Sequence, residues 1–395
     1  MTTKGATAVF SRTSLGPTTA HPLARAIDEA RSGPRALVDL TISNPTICGL
    51  LVDGDDEILR AIAAPAALRY DPDPLGMPKA RAAAAASFPA PWRPRPERML
   101  LTASTSEAYG YLFKLLCDPG DEILIPEPGY PLLEHLARFE RIALRPYRLG
   151  YDGSWHLDRS SVEMAMGPRT RALVIVSPNN PTGNVISDEE LDFLGGLGLP
   201  IIADEVFGRY PLSTDASHCA SALRNAPVLT FSLGGLSKLC GLPQLKLAWI
   251  AVAGRDALVS EAMSRLEFIA DAYLSVGSPI QCALPRVLEY GEHVSERVSR
   301  RVRDGLKVVR ARLAGSECTV LHVDAGWYVT VRLPAVLSED EWCLSLLRER
   351  GIVVQPGWLY DFPFEPLIVL SLLTPPEILE PAVVGLREHV ARACR

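Results

Sequence analysis

Between residues 45 and 255, short apolar runs alternate with segments whose apolar residues recur at helical spacing. Arg98–Thr102, Glu122–Pro126, Arg171–Val176, Leu199–Ala203 and Val228–Phe231 read as strands, and another apolar run spans Leu247–Val252. Ser106–Cys117, Tyr130–Phe139 and Asp188–Leu194 read as the helices that follow three of the strands. This alternation predicts an α/β fold with a mostly parallel central sheet sandwiched by helices. Ligands of such sheets lie beyond the carboxyl ends of the strands.

The pattern changes at both ends. Residues 1–20 read as an irregular arm, followed by a short helix (Leu23–Arg31) and an apolar stretch (Ala36–Ile42). Val287–Leu313 reads as one long, half-exposed helix, with alternating charges at Glu292, Glu296, Arg297, Arg300, Arg301 and Asp304. Strand-like runs follow at Cys318–Val323, Tyr328–Leu333 and Ile352–Val354, with helices at Glu339–Arg350 and Pro376–Ala393. They predict a smaller C-terminal α/β domain. The expected division is an arm with part of the small domain (1–45), a large domain (46–285) and the small domain (286–395). The alanine run Ala82–Ala86 reads as a helix surface.

Composition narrows the picture. The chain has 395 residues, 48% of them hydrophobic and 22% charged, as expected of a soluble globular protein with two subdomains. A net charge of −6 without a basic tract argues against a nucleic-acid partner. No apolar run is long enough to predict a membrane span. Eight cysteines are scattered singly, with no metal-ligand spacing, which points to a reduced compartment. Residues 1–27 lack acids and are rich in Ser and Thr, yet they show no secretory core and no amphipathic basic pattern. The expected location is the cytoplasm.

Only six lysines occur among the 40 basic residues, and two of them, Lys238 and Lys246, lie within nine residues. Lys238 sits in Gly-Gly-Leu-Ser-Lys-Leu-Cys-Gly, between two apolar runs, on what reads as a small, flexible loop. Upstream stand Ser-Pro-Asn-Asn-Pro-Thr-Gly (Ser177–Gly183) and Ile-Ile-Ala-Asp-Glu-Val-Phe (Ile201–Phe207). Together they suggest a lysine that forms a Schiff base with pyridoxal phosphate. That chemistry needs an amine, an acid facing the pyridine nitrogen, phosphate donors, a flat group over the ring and a hold on the substrate. Lys238 is the candidate amine, with Lys246 as a nearby charge that would lower its pKa. Asp204 ends an apolar strand, where a carboxylate requires a cation. Asn180 can donate to the phenolic oxygen of the ring. Ser104, Thr105 and Ser106 lie between a strand and a helix, where an anion is favoured. Tyr130 is the flat group. Each has a plainer reading: a surface lysine, a strand-end acid, a turn asparagine, an ordinary helix cap with Ser106 and Glu107 in its first turn, and a core aromatic.

These strings carry a resemblance. With Arg69-Tyr70-Asp71-Pro72, Gly76, Pro126–Tyr130, Ser237-Lys238, Gly326-Trp327-Tyr328 and Pro356-Gly357, the chain resembles the class I/II aminotransferases, fold-type-I pyridoxal phosphate enzymes related to aspartate aminotransferase. The resemblance spans nearly the whole chain. It implies that Lys238 forms the Schiff base and later moves the proton, that Asp204 holds the pyridine nitrogen and Asn180 the phenolic oxygen. It also implies that Ser104, Thr105, Ser106 and Ser237 surround the phosphate, with Tyr130 stacked on the ring. Tyr70 would reach the phosphate of a neighbouring subunit, which implies a homodimer. The implied partners are a small amine or amino acid and a keto acid or aldehyde.

The chain departs from the family pattern at three positions. Phe207 stands where a tyrosine is usual, so the cofactor-bound lysine is expected to hold its proton more tightly. Lys246 replaces the phosphate arginine, keeping charge without the two-pronged geometry. Val369 replaces the arginine that clamps a substrate α-carboxylate. Either Arg12, Asn44 or the backbone takes over that task, or the substrate carries no carboxylate there. Transfer of an amino group is the leading reading. A lyase, racemase or decarboxylase of the same fold and a non-catalytic pyridoxal sensor are the alternatives.

Overall fold

The centre of the fold is built from strands that are apolar on both faces, as a sheet covered on two sides requires. The computed structural model describes residues 9–14, 16, 21–51, 55–212, 221–224 and 226–395. Its strands are β1 (Val38–Asp39), β2 (Met99–Thr102), β3 (Glu122–Glu127), β4 (Ala143–Tyr151), β5 (Trp155–Leu157), β6 (Thr170–Val176), β7 (Ile201–Asp204), β8 (Thr230–Gly235), β9 (Ala248–Ala253), β10 (Thr319–Val320), β11 (Tyr328–Arg332), β12 (Ile352–Val353), β13 (Gln355–Pro356) and β14 (Leu367–Ser371). Eight of them form one sheet in the order β2-β9-β8-β7-β6-β3-β4-β5. The run from β8 to β4 is parallel, β9 is antiparallel to both neighbours, and β5 turns back on β4.

Helix Thr105–Leu116 covers one face. It buries Ala108, Tyr109, Leu112 and Phe113 in a core with Ile202, Phe231, Leu233 and Ile250. Each such aliphatic side chain contributes about 1.5–3 kcal/mol on burial. Helix Asp256–Asp271 packs beside it. Neither this helix nor β4 was expected from the sequence pattern. β4 alternates exposed and buried positions near the sheet edge instead of forming an apolar run.

The C-terminal unit is a four-stranded antiparallel sheet in the order β10-β11-β14-β13. β1 pairs in parallel with β12 as a separate two-stranded sheet. The long helix is Ser278–Leu313, longer than expected because it passes through Pro285 without ending there. The boundary expected at 285/286 falls inside it. Its buried stripe, Val287, Val294, Val298, Val302, Leu306 and Val309, packs on helices Pro376–Ala393 and Asp55–Ile62. The alanine run is a surface only in part: Ala82 and Ala86 are exposed, while Ala84 and Ala85 are buried with Ala80, and their helix, Pro78–Ala86, packs against the long one. Small side chains there allow close approach of the two helix axes. Among the described residues no helix is long and apolar enough to cross a membrane.

Candidate active site

The candidate residues gather at one edge of the large sheet because the strand register puts them there. Thr102, Ala248 and Gly235 are opposite one another across β2, β9 and β8. Ser104 lies two residues past Thr102, Ser237 two past Gly235, and Lys246 two before Ala248. Val176, Asp204 and Leu233 form the next row, across β6, β7 and β8. Asn180 therefore follows β6, Asp204 ends β7, and Lys238 follows β8, all at carboxyl ends.

Lys238 is not on a flexible loop. It occupies a one-turn helix, Leu236–Leu239, anchored by the Tyr210 hydroxyl donating to the Lys238 carbonyl. Its Nζ lies 4.9 Å from the centroid of the Trp327 ring and 5.5 Å from that of Phe207. Burial pushes the amine below its ordinary pKa, and the Asp204 carboxylate opposes this. Lys246 has no share in that lowering. It is exposed and has left-handed backbone, φ 49°.

Asp204 accepts the Val206 N–H at Oδ1 (3.2 Å) and the Tyr109 phenol at Oδ2 (3.2 Å). Burial raises its pKa to about 6, against the pull of those two hydrogen bonds and of Lys238. A carboxylate so placed gains most from a further cation close by. Phe207 is buried, its ring edge-on to Trp327 (5.3 Å) and to Tyr328 (6.1 Å).

The Ser177–Gly183 turn is fixed from several sides. The Asn179 amide donates to the Pro128 carbonyl (3.0 Å) and to Thr182 Oγ1 (2.7 Å), tying the turn to the loop that carries Tyr130. Beside it Asn180 is buried, and its side-chain oxygen has no partner within the protein. Oxygen and nitrogen of an amide are assigned from their partners, so this is one buried amide end awaiting a ligand. Tyr130 is half exposed, and burial together with Asp204 raises its pKa.

Ser104 is the helix cap, with Ser106 and Glu107 in the first turn as expected: its Oγ accepts the Glu107 N–H at 3.1 Å. Thr105 and Ser106 form the first turn, where N–H groups have no intrahelical acceptor. Ser237 is half-buried on the lysine helix. Tyr70 is 84% exposed, at the mouth of a cleft with Gly76, Tyr111 and Ser275. Of the carboxylate candidates, Arg12 is exposed on a one-turn helix against helix Leu132–Glu140. The Asn44 side-chain oxygen is taken by Thr46, from its N–H (3.1 Å) and its hydroxyl (2.7 Å). Val369 is fully buried in β14.

Sequence reasoning missed two contributors, Tyr109 and Trp327 as a neighbour of the amine. Tyr109 lies one turn past Thr105, where a helix seated on the sheet presents a side chain to the strand ends. Helical periodicity counted from the Ser-Thr-Ser turn would have found it.

An amine of lowered basicity, a carboxylate in need of a cation, an orphaned amide end and an open helix N-terminus fit pyridoxal phosphate group by group. The comparisons agree. The profile of the family described as aminotransferase class I and II matches residues 61–368, and the chain belongs to that family. It is a pyridoxal-phosphate-dependent aminotransferase. It is 28% identical over 350 residues to nicotianamine aminotransferase 1 of Oryza sativa subsp. japonica, covering 82% of this chain and 69% of that protein. It is 27% identical over 380 residues to human tyrosine aminotransferase, covering 91% and 83%. An aspartate aminotransferase mutant of Thermus thermophilus shares the fold, with TM-score 0.82, 24% identity and coverage of 97% and 99%.

Proposed function

We propose that the transfer runs through Lys238, with Asp204, Asn180, the Ser104–Ser106 turn and Tyr130 holding the cofactor. When bound, pyridoxal phosphate supplies an aldehyde for the amine and a ring that takes up the electron pair left at the substrate carbon. The observation that carries the reading is the Lys238 amine, desolvated between two rings and electrostatically paired with Asp204 at the strand ends. Lys238 offers a less basic amine to the aldehyde. As a free amine, Lys238 would take the proton from one carbon and return it to another. Asp204, as a carboxylate, holds the proton on the pyridine nitrogen. Asn180 donates to the phenolic oxygen. The helix N-terminus at Thr105 and Ser106, with Ser104 and Ser237, binds the phosphate, and Lys246 adds charge at that edge. Tyr130 covers the ring, and Phe207 offers no hydroxyl to compete with Asn180.

We place the enzyme in the cytoplasm as a homodimer, Tyr70 reaching across to the partner's phosphate site. The exposure of Tyr70, Leu68 and Phe268 supports a second copy, and the free cysteines of the described residues support a reduced compartment. The test is to load the protein with pyridoxal phosphate, reduce with borohydride and map the added mass. It is expected on Lys238. An amine donor should then convert the cofactor to pyridoxamine phosphate with release of a keto product or aldehyde. A label on another lysine overturns the assignment, and release of ammonia instead makes the enzyme a lyase.

A further inference from the structure

The small sheet presents one row of side chains toward this site. Thr330, Val369 and Gln355 are cross-strand partners on β11, β14 and β13, so they share a face. Tyr328 lies two residues before Thr330, hence on the same face. Its ring is the one that meets Phe207 beside Lys238.

Beside Val369 the row carries neutral hydrogen-bonding groups, on Thr330, Tyr328 and Gln355. The Thr330 hydroxyl is buried without a partner. The Tyr360 phenol donates to Gln355 Oε1 at 2.6 Å. Tyr328 shares a hydrogen bond with Ser43, and both Tyr328 and Tyr360 lie near Tyr130. The Gly129 N–H donates to the Tyr360 carbonyl at 3.0 Å, which fixes that loop against Tyr130. The arginine next along the face, Arg332, has its guanidinium carbon 4.3 Å from the centroid of the Phe364 ring, and its buried Nε has no hydrogen-bond partner.

We propose that Gln355, Thr330, Tyr328 and Tyr360 form the subsite for the non-reacting end of the amine donor, and that this end is an uncharged hydroxyl or amide. The proposal rests on Lys238 being the reacting amine. A carboxylate laid against Val369 would lose water without gaining a cation, a cost that a hydroxyl or amide avoids. With the Tyr360 proton given to Gln355 Oε1, the Gln355 amide keeps its N–H donors and the Tyr360 oxygen an acceptor, a pairing that suits a hydroxyl or amide.

The test uses the cofactor-loaded enzyme and three matched donors: an L-amino acid, its primary amide and its amino alcohol. The rate of cofactor conversion gives kcat/KM for each. The amide and the alcohol are expected to exceed the acid by about tenfold or more, a difference of about 1.4 kcal/mol. Val369→Arg should shift the ratio toward the acid by a similar factor. Gln355→Leu, at a half-buried position, should bring the ratio toward one and serves alone if the arginine variant does not fold. A loaded enzyme that takes the acid as well as the other two, takes none of them, or keeps its ratio in a folded variant overturns the subsite. Failure to load at Lys238, read by borohydride before any donor is added, overturns the assigned roles and the subsite with them.

Discussion

The phenol of Tyr109 donates to Oδ2 of Asp204 at 3.2 Å, joining the helix that opens at the Ser104 turn to the end of β7. On the proposed assignment, one helix would offer its N-terminus to a phosphate and, a turn later, steady the acid that faces the pyridine nitrogen. Burial and the Asp204 charge raise the Tyr109 pKa well above its ordinary value, so the phenol stays a donor across the working pH range. Tyr109→Phe removes a hydrogen bond to a charged group, worth about 1.5–3 kcal/mol. Cofactor binding should weaken about tenfold, and the acid limb of the activity profile should move up by about one pH unit. Titration with pyridoxal phosphate, followed by absorbance, and a kcat/KM profile against pH check both. An unmoved acid limb would show that Tyr109 only fills space.

The parts of this site differ in how far they could be read from the chain. Asp204, Asn180 and Lys238 were legible because each ends or follows an apolar strand, and a polar group there demands a reason. The helical turn at Lys238 was not, because it depends on backbone hydrogen bonds that any short segment can make. Tyr109 and Trp327 lie 95 and 89 residues from the groups they touch, and nothing in local pattern couples such distances. The parallel strands were readable as apolar runs, while β4, half exposed, was not.

Asp204 also sets a pH dependence for the cofactor-free protein. Its pKa stands at about 6 against an ordinary 3.8. The folded state therefore favours the protonated form, and the stability this brings is complete below about pH 4 and lost as pH rises through about 6. Asp204→Asn removes the buried charge. The cofactor-free variant should melt higher than wild type at pH 8 and alike near pH 4, while losing transaminase activity. Equal melting temperatures at pH 8 would mean that Lys238 already neutralises the carboxylate.

On the proposed assignment, Phe207 would leave the cofactor's phenolic oxygen with one fewer donor than a tyrosine would give it. Phe207→Tyr places a hydroxyl in the same buried region, near the ring that Lys238 faces. A hydrogen bond to the ionised oxygen stabilises the deprotonated form of the bound pair. The pH midpoint of the bound cofactor's visible absorption should fall by about one unit, comparable to one such bond. A spectral pH titration of the loaded variant beside wild type measures it, and an unchanged midpoint would put the new hydroxyl out of reach.

Gly183 connects the Asn180 turn to the small unit. Its carbonyl accepts the N–H groups of Asp324 (3.1 Å) and Ala325 (2.9 Å), just before the Gly326-Trp327-Tyr328 segment that borders Lys238. Its φ of +69° is unfavourable for any side chain, and an added Cβ would stand 2.5 Å from the Ala325 carbonyl oxygen and against Val323. Gly183→Ala must therefore push the two segments apart. Strained backbone and overpacking each cost about 1–3 kcal/mol, so the melting temperature should drop by several degrees. The displacement also reaches Asn180 on one side and Trp327 on the other. Activity should fall further than stability alone explains, with kcat reduced even at temperatures where the variant remains fully folded. Far-UV circular dichroism and kcat measured on the same loaded sample separate the two effects. A variant that melts lower yet keeps its kcat would confine the role of Gly183 to the fold.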